Sequence, residues 1–295
     1  MHTKVSLGNF IPLLAIPAVL VFPQGGQLLS PATFYLLGAL LFFAFLGLGL
    51  ERVFAVLRAP QETFYVSLVV LVLTPLVIYP VMERFFPEYL LGAFIFMLLP
   101  AALSSPAVAA IYGGNVEKAA VNTITSNLLS PFTITLFLGV FAATSVAVPL
   151  TRILSQLLLL VLIPFFLALL SNRYASQVVV RIRPHLRLIN LSLLFLFFFA
   201  ALAPYHESIR DHAFDGRLWL AVLVTHIVLY VFAKLAVLHE KNSADRIAIE
   251  SNLFFLNVGL GVFIAQKFFG PTEMLFIIFC EIVWVVLVSV FKFFK

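Results

Sequence analysis

The sequence predicts an all-α membrane protein of about ten transmembrane helices in one domain, and three observations carry that expectation. Of 295 residues, 63% are hydrophobic and only 11% are charged, against about 45–50% and about 25% in soluble domains. Mean hydropathy is +1.12. Apolar stretches near the roughly 20 residues that a bilayer core demands recur from end to end, with no long polar segment between them. A water-soluble fold could not hide so much apolar surface, so no soluble domain is expected.

With proline, glycine and charge as punctuation, the spans fall at roughly Leu7 to Phe22, Pro31 to Leu50, Thr63 to Met82, Tyr89 to Gly113, Lys118 to Phe141, Val146 to Leu170, Leu188 to Leu202, Leu218 to Leu238, Ile247 to Phe269 and Thr272 to Phe294. The leading segment is polar only to about Asn9 and has no small-residue cleavage site after a short apolar run, so the first helix is expected to be retained. Cys280 is the single cysteine, which excludes an intrachain disulfide. The formal charge is +5, but the cations are scattered over short connections and form no basic, aromatic-rich patch for nucleic acid.

Topology explains the surplus better. If the N-terminus is cytoplasmic, only Arg84, Arg152, Arg210, Arg217 and Lys267 of the 18 cations lie outside, leaving 13 on the cytoplasmic side, as the positive-inside rule requires. Both termini should then be cytoplasmic, in a plasma (inner) membrane. Five spans per half, about 1–143 and 144–295, suit an inverted repeat, because an odd number makes the second copy enter the membrane upside down.

Two spans are interrupted. The fourth runs into Leu99-Pro100-Ala101-Ala102-Leu103-Ser104-Ser105-Pro106 and resumes at Ala107 to Tyr112 before Gly113-Gly114. Each proline removes a backbone donor and clashes with the preceding turn. Unwound backbone at membrane depth survives only where protein buries it or a wet cavity adjoins it, so freed carbonyls there can hold a cation and a half-helix N-terminus can face an anion. Ser104, Ser105 and Pro106 are therefore candidate substrate contacts; the alternative is a proline kink with the serines bonded back to their own helix. The ninth span sets Glu250, Asn252 and Asn257 in an apolar run. Glu250 is a ligand, a titrating group, or a residue nearer the cytoplasmic surface beside Asp245 and Arg246. The fifth span is polar, with Asn122, Thr123, Thr125, Ser126, Asn127, Ser130 and Thr133; Thr123, Ser126 and Asn127 share one face, either as a site or as packing contacts.

These residues resemble those of bile acid:sodium symporters. The stretch Leu99 to Pro131 has a proline, a serine five residues on, a Gly114-Asn115-Val116 turn and a closing Leu128-Leu129-Ser130-Pro131. Leu57-Arg58-Ala59-Pro60, Thr74-Pro75, Pro164, Asn257-Val258-Gly259-Leu260 and Phe268-Phe269-Gly270-Pro271 are similar to further family segments in order. The resemblance implies a panel of helices one, two, six and seven facing a core of helices three, four, five, eight, nine and ten, with the broken helices four and nine crossing in the core. It implies a secondary transporter that moves an organic anion, bile-acid-like or a small carboxylate, past Ser104, Ser105, Pro106, Asn257 and Val258 by alternating access, usually with sodium. The panel is almost wholly apolar, for example Phe10, Phe42, Phe43, Phe165 and Phe166, either as the lining for an amphipathic cargo or as lipid-facing aromatics, which look the same in sequence.

The family's sodium ligands carry over in part. Its serine-asparagine pair is Ser105-Pro106 here, a fifth-helix serine is Ala119, and the third-helix glutamine is Val70. The ninth-helix acid expected five residues before Asn257 is Asn252, the glutamine beside it is Leu256, and Glu250 lies seven residues away. The second of two sodium sites should be lost, while a reduced Na+ site from Ser105, Thr123, Ser126, Asn127 and Glu250, or with Asn252 in the acid's place, stays open. If sodium has been abandoned, Glu250, His226 and Glu281 are the proton-coupling candidates, and a proton-coupled or uncoupled carrier is the alternative. For His226 the plain reading is a neutral ring bonded to another helix. A membrane enzyme or channel is less favoured: His206 and His212, with Glu207, Asp211 and Asp215, lack metal-ligand spacing and read as a solvated loop, and no filter or charge ring is evident.

Overall fold

The computed structural model describes residues 13–48, 60–142 and 149–290. The termini, Lys4, Phe10, Arg52, Leu57, Arg58, Ala59, Lys292 and Lys295, on which parts of the charge and motif reading rest, lie outside the described residues. Within them the regular elements are helical, and the one β-bridge is isolated. In chain order these are α1 (Ala15–Val21), α2 (Pro23–Leu29), α3 (Thr33–Leu48), α4 (Pro60–Leu68), α5 (Thr74–Phe85), α6 (Leu90–Met97), α7 (Ser105–Ile111), α8 (Val116–Phe137), α9 (Leu150–Tyr174), α10 (Ser176–Ile182), α11 (Leu186–Leu202), α12 (His206–His212), α13 (Gly216–Ala236), α14 (Ser243–Phe254), α15 (Val258–Phe268) and α16 (Pro271–Val290).

Six helical runs are long and apolar enough to cross a membrane: Pro23–Leu48, Thr63–Phe85, Val116–Phe141, Leu150–Tyr174, Ser176–His212 and Gly216–Ala236. With the shorter apolar helices between them, they make this an integral membrane protein. The boundaries depart from expectation in two places. The second run starts at Pro23 rather than Pro31, because Pro23 takes the first helical position, where a missing N–H costs nothing; Pro31 falls inside a short 3-10 turn. The segment read as a solvated loop is helical, since Pro204 opens a 3-10 turn that leads into α12.

Helix starts follow side-chain chemistry. Asn115, Asp215 and Asn242 each accept amide hydrogens from the first turn of α8, α13 and α14, at 2.9–3.3 Å, so polar caps end the connections where the apolar runs begin. Thr74-Pro75 has a local cost: Val69–Leu73 is a π-helical turn, and the Thr74 hydroxyl donates to the carbonyls of Val69 and Val70. A proline lacks the N–H that would close the regular ladder, and the wider turn absorbs the mismatch.

The helices pack in two groups. In one, α3 lies against α9 and α11, and α1 and α2 lie against α11. In the other, α6 packs on α5, α15 and α16, α8 on α4, α7 and α14, and α13 on α5, α14 and α16. Between the groups, α8 packs against α9, α15 touches α3 and α11, and α12 lies against α16. Opposite rims of the second group are tied by charge. At one, Arg217 pairs with Glu88 and Tyr89 donates to Asp215 at 2.9 Å. At the other, Lys118 pairs with Asp245 at 2.7 Å and Glu240 at 3.7 Å, and Asn115 donates to Asp245 at 2.8 Å.

Asp215 thus caps α13 and holds Tyr89. The bond from Tyr89, aided by the amides of Leu218 and Arg217 and opposed by burial, keeps its carboxyl below the usual carboxylate range. A depressed folded value contributes stability that is present above the unfolded value of about 4 and is lost as pH falls through the folded value. Asp215→Ala should lower stability in detergent by about 1 kcal/mol, the usual worth of a cap. Asp215→Asn, which retains a capping oxygen, should flatten the acid limb of the melting curve between about pH 5 and about pH 2. Unchanged acid sensitivity in Asp215→Asn would show that other carboxylates set it.

Candidate functional site

The site is built where two helices stop. α6 ends at Met97 and α7 begins at Ser105; α14 ends at Phe254 and α15 begins at Val258. The two unwound stretches meet. Ala101 and Leu256 form an antiparallel bridge in which the Ala102 amide donates to the Phe255 carbonyl at 2.7 Å and the Asn257 amide donates to the Pro100 carbonyl at 2.8 Å. At membrane depth an unsatisfied peptide group costs several kcal/mol, so each break satisfies the other. Gly261 permits the close approach, since a Cβ there would lie 2.7 Å from the Leu99 side chain. Gly113, at φ +77°, takes the left-handed conformation that turns the chain out of α7.

The polar face of α8 clamps the crossing. Asn127 donates to the Ala101 carbonyl and to the Thr123 carbonyl, both at 2.8 Å, and its amide oxygen accepts from Asn257 at 3.0 Å. Ser126 accepts from the Ala101 amide at 3.3 Å and donates to the Thr123 carbonyl at 3.1 Å. Ser105 donates to the Phe255 carbonyl at 3.3 Å. Asn257 also accepts from the Leu260 amide at 3.4 Å and so caps α15. One turn before the break in α14, Asn252 donates to the Ala119 carbonyl at 3.0 Å and to the Thr123 hydroxyl at 2.8 Å.

The structure therefore brings Ser105, Thr123, Ser126, Asn127, Asn252 and Asn257 together, all buried. Pro106 and Val258 are buried at the starts of the two second half-helices, whereas Ser104 and Ala107 are exposed, so one flank of the crossing is open. Ser130, Thr125 and Thr133 bond carbonyls of their own helix and serve α8 alone.

Glu250 does not join the group. A two-residue step turns a helix by about 200°, so Glu250 faces α13, where both carboxylate oxygens lie 2.9 Å from the Lys234 ammonium. α14 runs unbroken from Ser243 to Phe254, and it is Asn252, five residues before Asn257, that meets α8 at the crossing. His226 is buried but bonds its own helix rather than another one, through Nδ1 to the Val222 carbonyl at 2.9 Å. Its ring sits 5.5 Å from Phe96 and 6.4 Å from Phe254, centroid to centroid, and Nε2 has no partner. Glu281 is buried on α16, away from these bonds.

Sequence reasoning missed three elements. Lys234 was counted only as a topological charge; the signal available was an acid and a base near facing ends of consecutive spans. Gln266, which donates to the Ser30 hydroxyl at 3.1 Å while Tyr205 donates to its carbonyl at 3.4 Å, was hidden among the apolar residues that close the ninth span. Ser67 and Asn122, each with a buried polar atom lacking a partner, looked like ordinary packing residues.

Comparison with known proteins agrees with the geometry. Residues 34–211, more than half of the chain, match the profile described as the Sodium Bile acid symporter family. An uncharacterized protein of Bacillus subtilis (strain 168), YbaS, is 27% identical over 196 residues. That similarity takes in 64% of this chain and 62% of YbaS, so it spans less than two thirds of the relative's length. The interrupted helix at Met97–Ser105 and its clamp on α8 lie inside the matched segment, and the chain belongs to the sodium bile acid symporter family.

Proposed function

We propose that this protein is a secondary transporter that moves an organic anion, bile-acid-like or a small carboxylate, by alternating access. The crossing of the two interrupted helices, with Ser104 exposed on one flank, carries the reading. A membrane protein that breaks two helices at one place, and binds the breaks to each other, has made the kind of dipolar mid-membrane locus that carriers use. The amides at the start of α15 carry the positive end of its dipole, which favours an anionic group. In this reading Ser104, Ser105, Pro106, Asn257 and Val258 contact the cargo, the halves at about 1–143 and 144–295 are inverted copies, and the α1–α3, α9, α11 group is the panel that moves against the rest.

Two contacts between the groups support a reading of which way the site opens: Ser30, Tyr205 and Gln266 bond there, and Phe34 approaches Phe263 at 6.0 Å. With the excess of cations on the other rim placed in the cytoplasm, this is an inward-open arrangement latched on the outside. A proton-coupled version rests on Glu281, a buried carboxyl that no described side chain pairs with or hydrogen-bonds; membrane-embedded acids are functional candidates by default.

Uptake of labelled taurocholate and pantoate into proteoliposomes tests the carrier. Saturable uptake and accelerated exchange are expected, with Asn257→Ala losing about tenfold or more in rate because the crossing loses a cap and its bond to Asn127. Ion-like passive currents, or uptake indifferent to Asn257→Ala, would refute it. The latch has its own test. Cys280 is buried, so Ser30→Cys with Gln266→Cys should be joined selectively by a short bifunctional thiol reagent, and the joined protein should lose uptake that reductant restores when the linker is cleavable. Full uptake by the linked protein would exclude motion at this contact.

A further inference from the structure

A symporter needs a place for its co-transported cation, and sodium, a hard ion, needs several oxygens that point at it together with compensating negative charge. The crossing supplies neither. The Ala119 carbonyl can only accept a hydrogen bond, so the group 3.0 Å from it must be the donor end of Asn252, and that same nitrogen lies 2.8 Å from the Thr123 hydroxyl. An amide NH2 thus stands between the two oxygens that would have to turn to a cation. The other side chains already bind the crossing together. Asn127 uses both N–H bonds and its carbonyl on Ala101, Thr123 and Asn257, Ser126 bonds at both ends, and Ser105 donates to Phe255, so turning their remaining lone pairs to one point would disturb the bonds that hold the breaks.

Charge is missing too. Of the two acids of α14, Asp245 is held by Lys118 at the rim and Glu250 faces away, paired with Lys234 through both oxygens, while Val70 and Leu256 are apolar and buried. A half-turn of the Asn252 amide would bring its unpartnered Oδ1 toward Thr123, whose hydroxyl could then donate to it, but only by facing one oxygen to the Ala119 carbonyl and losing that hydrogen bond. The residues present do not fit sodium.

We infer that this transporter has replaced its sodium with internal hydrogen bonds, that Asn252 is the residue responsible, and that its cycle runs without a sodium ion. The inference rests on the carrier reading for its last clause; the absence of sodium binding stands without it. The melting temperature of the detergent-purified full chain, measured in sodium, potassium and choline chloride at matched ionic strength, should be the same in all three. Asn252→Ala should melt lower, equally in each salt. Asn252→Asp and Asn252→Glu, which put a carboxylate beside Ala119 and Thr123, should gain a saturable, sodium-specific rise on the order of 2–4 °C. A sodium-specific, saturable rise in the wild-type protein that Asn252→Ala abolishes would overturn the inference. A cooperative melt of both acidic variants with no sodium response would overturn the role of Asn252. Should the acidic variants fail to fold, the wild-type comparison still decides the binding claim, and uptake that stops when choline replaces sodium would refute the sodium-free cycle. Absence of uptake in every salt, with a melt indifferent to sodium, would instead refute the carrier reading and leave the binding result intact.

Discussion

An unpaired peptide group in the middle of a bilayer has no water to turn to, and this single constraint organises the molecule. Two helices stop there, leaving carbonyls and amides that would each cost several kcal/mol if orphaned. The structure meets that cost by pairing the breaks across Ala101 and Leu256 and by bringing a third helix, α8, whose side chains fill the remaining valences. The unusual polarity of α8 is then a consequence of the breaks. Deleting the amide of Asn127 would release the Ala101 and Thr123 carbonyls and Asn257 at once, so its effect should exceed that of any single hydrogen bond, as expected for a connected buried network.

The same constraint explains how much the sequence revealed. Prolines at 100 and 106 and three polar residues at helical spacing are local features that mark a break and a polar face; that the two breaks cross came from the family resemblance, carried in part by Asn257-Val258-Gly259. What α14 does with Glu250 and Asn252 is a question of rotation. The two residues lie on opposite faces of one helix, and nothing local says which face meets α8 and which meets α13. The Lys234 partner is 16 residues away across a turn, which a scan of one span at a time cannot see. Pro23 and Pro31 illustrate a different limit: both open helical turns, and the sequence alone does not say which of them begins the span. His226 shows a third: its i−4 bond to Val222 is as local as any, whereas the sequence reading favoured a partner on another helix.

The charges have sorted themselves away from the crossing. Lys234 and Glu250 close on each other, Lys118 joins Asp245 and Glu240 at one rim, and Arg217 joins Glu88 at the other. All of these join elements of the α4–α8 and α13–α16 group, where the π turn at Val69–Leu73 and the broken helices are the least regular backbone. Contacts from that group to α3 and α11 are apolar or neutral hydrogen bonds, for example Gln266 to Ser30 and Phe34 near Phe263. Strong pairs within a body and weak ones between bodies suit a rigid-body motion, because a sliding interface that had to break buried ion pairs would meet a high barrier.

A sodium-free crossing changes the electrical balance of transport. An anion carried with two sodium ions enters a negative interior as a net positive charge and is drawn in by the membrane potential, whereas the same anion alone is pushed out. One elementary charge moving across about 100 mV is worth about 2.3 kcal/mol, which is roughly a 50-fold concentration ratio at the tenfold-per-1.4 kcal/mol scale. Loss of both cations therefore removes an inward driving force and creates an outward one of comparable size. A carrier built this way accumulates a monovalent anion only by exchanging it for another anion or by moving a proton with it; left uncoupled, it drains the cell of its substrate. On the sodium-free proposal, Asn252 at the crossing would thus set the direction of work as well as the choice of ion.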